Sequence, residues 1–216
     1  MLRRTKPPAP KIRPNARETI LRAAERVFAE KGLDGARTDA IAKAAKVNKA
    51  LLYYYFKSKN ALFSAVIEEA IRESHQRLME ILSDRGSERE VLLRYVEAFF
   101  DVLSERPDSY CLFQRFLMAN PKVVERLMKR NFLPRFHKLA ALIRRGARRG
   151  EFRRVDPVQA AHSVHALVIF YFRAGPLLKA FAKSNPFHPK TLEKRKREMI
   201  DFIRYGLFKY PEGRTP

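Results

Sequence analysis

The chain has 216 residues, 46% of them apolar and 31% charged, which is enough to bury an ordinary core without metals or disulfides. Lys and Arg number 45 against 23 Asp and Glu, and this net charge of +22 favours a polyanionic partner, nucleic acid or an anionic surface, without choosing between them. A lone Cys111 excludes an internal disulfide framework, and the apolar stretches around 139–143 and 163–172 fall short of the roughly 18–20 residues a membrane span needs, so a cytoplasmic protein is expected.

Residues 1–14 hold four prolines and no acidic residue, and read as a disordered basic arm rather than a secretory signal. Asn15 and Glu18 have the spacing of a capping box. Ile20, Leu21, Ala24, Val27 and Phe28 follow at helical spacing, and Gly32 ends that run. A short helix is expected from about Thr38 to Ala45, with Thr38 a better cap than Arg37. A minimal turn through Lys46 and Val47 leads to Asn48, the cap of a third helix over 49–55. Three short helices, the last two joined tightly, form a helix-turn-helix pattern.

Ser58 caps a long helix from Lys59 towards Leu82, broken by Asp84-Arg85-Gly86. Ser87 and Glu90 make a second capping box, for a helix over 88–105 that Pro107 closes. A shorter helix is expected at 109–118. Asn120-Pro121 opens another that runs to about 148, with Pro134 bending or interrupting it. Asp156-Pro157 starts a helix over 157–173, limited by Gly175-Pro176; a brief helix at 177–183 and a long one from Thr191 to Phe208 follow. No segment alternates with period two. The expectation is an all-α protein of nine or ten helices: an arm (1–14), a helix-turn-helix domain (15–57), a helical body (58–210) and a flexible tail (211–216).

Residues 15–66 resemble bacterial TetR-like (TetR/AcrR family) transcriptional regulators. The resemblance lies in IAKAAKVNKALLYYYFKSKNAL, where Ile41-Ala42, Val47, Asn48-Lys49, Leu52-Tyr53-Tyr54-Tyr55-Phe56 and Lys59 keep that family's spacing. It implies groove-facing roles for Asn48, Lys49, Ala50, Leu51, Tyr53 and Tyr54, and a phosphate contact for Lys59. Arg37, Thr38, Lys43, Lys46 and Lys57 are electrostatic candidates, Leu52 and Phe56 are core, and Tyr55 fits either set. Lys46 stands where the family usually has Gly, and Ala50 and Leu51 where Gly and Thr are common.

The resemblance also implies a homodimer reading double-stranded operator DNA, and a body that encloses a small-molecule effector. Interface candidates are Val158, Ala161, Val164, His165, Val168, Ile169 and Phe172, with Met199, Ile200, Phe202, Ile203, Leu207 and Phe208. Effector candidates are Phe99, Phe100, Leu103, Tyr110, Phe113, Phe116, Leu117, Phe136, Leu139, Ile143, Phe170 and Tyr171, which serve equally well as ordinary core. His137, His162 and His165 do not make a metal set, and no cofactor is expected. Arginines 144–154 and the basic residues of 190–197 read as solvated surface, distal nucleic-acid contacts or counter-charge for an anionic effector. No ordered Ser/His/Asp set, Gly-rich phosphate loop or acidic pair is present, so an enzyme is not expected. A repressor released by a small molecule is the leading reading, against a non-specific nucleic-acid packing protein.

Overall fold

The computed structural model describes residues 15–105, 116–118, 120–182 and 185–210. The expected arm, the expected tail and most of the helix expected at 109–118 lie outside them. The chain divides into two compact units, 1–70 and 71–216. The described residues are helical, apart from turns and one isolated antiparallel bridge between Phe152 and Phe208.

The N-terminal unit contains α1 (Ala16–Gly35), α2 (Thr38–Ala44), α3 (Lys49–Tyr55) and the first half of α4 (Lys59–Ile81). Gly32 interrupts α1 with φ 68 and ψ 179, a conformation open to glycine. The expected capping box at Asn15 does not form. Asn15 is left-handed, at φ 72, whereas an N-cap side chain needs an extended backbone to reach the first turn. Glu18 pairs with Arg22 instead. Ser58 does cap α4, its Oγ accepting from Ala61 N at 3.0 Å. Ile20, Ile41, Leu52 and Leu62 are fully buried, and Phe28 meets Phe63 edge-on at 4.9 Å. Leu62, Phe63, Val66 and Ile67 therefore belong to this core, which carries the unit past the boundary expected at 57.

The second unit contains α5 (Glu88–Ser104), α6 (Pro121–Leu127), α7 (Leu133–Arg148), α8 (Pro157–Arg173), α9 (Gly175–Phe181) and α10 (Pro189–Leu207). The capping box of Ser87 and Glu90 is complete, and Asp156 accepts from Val158 N and Gln159 N at 2.9 and 2.8 Å. Asn120 does not cap α6: its amide turns back to donate to the Phe116 carbonyl at 2.7 Å. Pro134 has the interrupting effect expected of it. A π-helical turn over Met128–Phe132 separates α6 from α7, widening the backbone just before the residue that lacks an N–H. Gly175 opens α9, where a Cβ would run into the Phe187 ring.

The body core joins Leu92, Tyr95, Val96 and Phe100 of α5 to Leu139, Leu142 and Ile143 of α7, Ala161, Val164, Val168 and Phe172 of α8, and Met199 and Ile203 of α10. Part of the arginine cluster serves this fold. Glu88 is only 4% exposed, and it accepts from Arg145 Nε and Nη2 at 2.9 and 3.1 Å and from Arg149 Nη1 at 3.1 Å. Arg89 donates through Nε to the Glu151 carbonyl at 3.0 Å and through Nη2 to the Lys209 carbonyl, and lies over the Phe208 ring. Two arginines of 144–154 are thus structural, which corrects the purely solvated reading. In the second cluster, Lys196 pairs with Asp101 at 2.8 Å and Arg195 lies over Tyr171.

Candidate nucleic-acid interface

The turn between α2 and α3 is set by backbone hydrogen bonds. Val47 N donates to Ala42 O at 3.0 Å and Lys46 N to Lys43 O at 3.1 Å, the paired contacts of a Schellman motif. That motif requires a left-handed residue, and Lys46 takes the position at φ 53. A side chain there costs about 1–2 kcal/mol relative to glycine. The strain leaves an ammonium exposed at the turn. Asn48 then starts α3, its Oδ1 accepting from Leu51 N at 2.7 Å.

With that start, α3 divides into two sides. Asn48, Lys49, Ala50, Tyr53 and Tyr54 are exposed, whereas Leu51, Leu52 and Phe56 are buried at 5%, 0% and 4%. The expected groove role of Leu51 is corrected, because its side chain is packed beneath the helix and presents almost no surface. Tyr55 is half-buried, its ring 5.3 Å from that of Tyr54 and 6.3 Å from that of Phe56. The Tyr53 hydroxyl lies 3.3 Å from Thr38 Oγ1, which ties the start of α2 to the exposed side of α3. Thr38 is the first residue of α2 and Arg37 occupies the cap position, so Thr38 does not cap as expected.

The charged residues differ in availability. Arg37, Lys43, Lys46 and Lys57 are exposed. Lys49 pairs with Asp39 at 2.8 Å, and this hydrogen bond and the attraction behind it lower the Asp39 carboxyl and raise the Lys49 ammonium from their ordinary values. Asp39 is a member of the site that charge counting missed; it stands in the first turn of α2 and Lys49 at the start of α3, so no helical spacing signals the pair. Lys59 is half-buried and donates to the Asp34 and Ala36 carbonyls, both at 3.3 Å. Its ammonium fastens the connection between α1 and α2, a structural role in place of the expected free phosphate contact.

A compact three-helix unit with one polar, basic and aromatic helix face is a frame that many DNA readers share. Residues 20–66 match the family model for bacterial regulatory proteins of the tetR family, and residues 89–203 match that for the tetracyclin repressor-like C-terminal domain. The second match alone spans more than half of the chain. The chain belongs to the TetR family. It is a DNA-binding transcriptional regulator and not an enzyme.

Among curated relatives, the repressor NicS of Pseudomonas putida is 33% identical over 92 residues, 43% of either chain. The activator FasR of Mycolicibacterium smegmatis is 33% identical over 112 residues, 51% of either chain. The alignments thus span about half of these two relatives or less. Among solved structures, a transcriptional regulator from Saccharomonospora viridis in complex with choline superposes with a TM-score of 0.75 at 22% identity, covering 91% of this chain and 99% of that one. That likeness extends the TetR-family fold through the body.

The TetR-family body places the remaining expected residues in different surroundings. Phe99, Phe100, Phe136, Leu139 and Ile143 are packed in its core, Leu103 and Tyr171 pack against that core, and Phe116 and Leu117 are half-buried. Phe170 is 67% exposed and lines no interior space. Tyr110, Phe113 and Cys111 lie outside the described residues. Of the interface candidates, Ala161, Val164, His165, Val168, Phe172, Met199, Ile200, Ile203 and Phe208 are buried within one chain, Ile169 and Leu207 are half-buried, and only Val158 and Phe202 are exposed, at 39% and 65%. The buried ones are corrected to monomer core. Phe170 and Tyr205, at 67% and 54%, are exposed aromatics not named as interface residues from sequence.

His165 is the most perturbed group of the body. Its Nε2 lies 2.9 Å from the Tyr95 hydroxyl and its Nδ1 3.1 Å from the Ala161 carbonyl. The two contacts fit a neutral ring that donates from Nδ1 and accepts at Nε2. Burial, and then the charge of Arg135, hold its pKa down at about 3, and burial pushes Tyr95 up to about 12. Among the described residues no three His, Cys, Asp or Glu side chains gather to hold a metal, and no helix is long and apolar enough to cross a membrane.

Proposed function

We propose that this protein is a homodimeric repressor whose α2–α3 face docks in the major groove of a palindromic operator in the cytoplasm, and which a small-molecule effector releases. The observation that carries the reading is the division of α3: Asn48, Lys49, Ala50, Tyr53 and Tyr54 outside, Leu51, Leu52 and Phe56 sealed beneath. Tyr53 and Tyr54 offer hydroxyls to phosphate and ring faces to sugar or thymine methyl groups. Arg37, Lys43, Lys46 and Lys57 supply the sequence-independent attraction. Lys49 joins them when phosphate competes with Asp39 for its ammonium.

One headpiece reads one half-site, so two copies are needed to span successive grooves about 34–36 Å apart. The surface suited to pairing is the exposed apolar set on α8 and α10: Val158, Phe170, Phe202 and Tyr205. Two such helices per chain would form a four-helix contact about a two-fold axis. An effector that binds one body arrangement better than the other shifts headpiece spacing and lowers operator affinity.

The test begins with in-vitro selection of duplexes bound by the full chain, followed by titration against unrelated competitor DNA at fixed salt. A regulator retains one sequence; a packing protein shows no preference. Tyr53→Ala is expected to weaken the selected duplex by about 10–100-fold, the worth of a good groove contact, with the dimer intact. Phe202→Glu is expected to yield monomers that no longer hold the full operator. Unchanged affinity in the first variant removes Tyr53 from the interface, and an unchanged dimer in the second removes α10 from the pairing surface.

A further inference from the structure

Between Gly35 and Ile67 the sequence holds six basic residues and a single acid, Asp39. That acid does not stand apart from the basic surface. Its Oδ1 lies 2.8 Å from Lys49 Nζ, at the start of α3, and the two side chains keep 57% and 50% of their surface open to water. The carboxylate thus shares the face that meets DNA in the reading above, where a negative charge opposes the attraction to phosphate.

Its position is held by more than Lys49. Ile41 and Ala42 of α2 and Leu51 and Leu52 of α3 are buried beneath the two helices, and Val47 N donates to Ala42 O at 3.0 Å across the turn. Thr38, the neighbour of Asp39, places Oγ1 3.3 Å from the hydroxyl of Tyr53, which stands one turn after Lys49. Departure of the ammonium therefore leaves the carboxylate on the same face. An exposed ion pair of this kind holds weakly, so a competing group can take either member from it. Phosphate is such a group for Lys49. The carboxylate left behind is an acceptor, and the major-groove donors that suit it are the exocyclic amino groups of cytosine and adenine.

We propose that Asp39 is a specificity-determining residue of the DNA interface. On unrelated DNA it keeps Lys49 neutralised; on the operator it exchanges Lys49 for a base amino group, cytosine N4 or adenine N6, and frees the ammonium for phosphate. The inference rests on the operator reading above and gives that operator one required base in each half-site. Loose complexes draw their affinity from counterions released as cations meet phosphates, and Asp39 withholds one of those cations. The operator complex regains the cation together with a base contact. A carboxylate in the first turn of α2, which has no side-chain cap, also suits the helix dipole, but that role has no bearing on base preference.

In-vitro selection with the full chain and with Asp39→Ala, followed by titration of the selected duplex and an unrelated one over a salt series, tests the assignment. The natural chain is expected to select cytosine or adenine at one position of each half-site, and the base selected identifies the donor. Asp39→Ala is expected to lose the preference at that position and keep the others. It is also expected to hold unrelated DNA more tightly at low salt, with the slope of log affinity against log salt steeper by about one unit, and to discriminate about tenfold less between the two duplexes. Adding Lys49→Gln is expected to remove the gain on unrelated DNA. Asp39→Asn, which preserves the shape of the side chain, is expected to show the same gain if Asp39→Ala fails to fold. An unaltered selection profile, unchanged binding to unrelated DNA, a gain of the same factor on both duplexes, or a gain that survives Lys49→Gln overturns the role of Asp39 and leaves the operator reading in place. A natural chain that selects no duplex retires the operator reading and the role of Asp39 with it.

Discussion

Positive charge is used differently in the two units. In the N-terminal unit Arg37, Lys43, Lys46 and Lys57 stand exposed around α2 and α3, and among the described residues none of them meets an acidic side chain. In the body, Arg145 and Arg149 converge on a buried Glu88, Arg89 fastens Glu151 and Lys209, and Arg135 lies over an aromatic ring. The first arrangement leaves charge for a partner of opposite sign, while the second spends much of it on the fold. That difference bears on the net charge of +22, of which +9 falls within 1–57. A share of the remainder is paired with acids and carbonyls of the body itself, so net charge alone overstates the charge left free for DNA.

The largest expected effect tests the body side of this comparison. Glu88→Ala removes the one acid that both Arg145 and Arg149 share. Breaking a buried pair costs about 3–5 kcal/mol. Both arginines keep access to water, which reduces the expected loss to roughly 2–3 kcal/mol in urea unfolding. A loss under about 0.5 kcal/mol would place these arginines with ordinary solvated surface and erase the contrast. Next comes His165. Its pKa is held at about 3 in the fold against 6.5 for the free side chain. Unfolding therefore takes up a proton below about pH 6.5, and the body loses stability as pH falls from there towards 3. His165→Gln keeps a partner for Tyr95 and removes the titration. Between pH 7 and 5 the natural chain is expected to lose about 2 kcal/mol more than this variant, with no difference opening above pH 7. Parallel curves would mean that the imidazole is not the buried neutral group its contacts describe.

The sequence exposes what depends on near neighbours. Asn48, Ser58, Ser87 and Asp156 each cap a backbone N–H two or three residues on, so residue type and spacing suffice. Asn15 and Asn120 carry the same signal and fail, because the first is left-handed and the second turns its amide to Phe116. The exposed side of α3 was legible through the resemblance, but Leu51 was not. A helix of seven residues has too few turns to separate a buried side from a groove side by period alone. In α8, apolar residues occupy nearly every side, so core and pairing surface read alike until Ala161, Val168 and Phe172 are found buried and Phe170 exposed. The grip of Glu88 on Arg145 and Arg149 crosses 57 and 61 residues of chain, and no local pattern announces it.

Lys46 brings both sides of the comparison into one residue, and its substitution is the smallest expected effect. Its left-handed backbone costs the headpiece stability, while its exposed ammonium adds to the charge left for DNA. Lys46→Gly relieves the strain but gives the unfolded chain more freedom, so a net gain of roughly 0.5–1 kcal/mol is expected in thermal or urea unfolding. The same variant is expected to bind DNA more weakly at low salt, with the slope of log affinity against log salt reduced by about one unit. A stabilised variant with an unchanged slope would show that Lys46 touches no phosphate and that the strain serves only the turn. A reduced slope without added stability would mean that the Schellman contacts of Val47 and Lys46 already absorb the left-handed cost. Only the two changes together tie the strained turn to a charge held out for DNA.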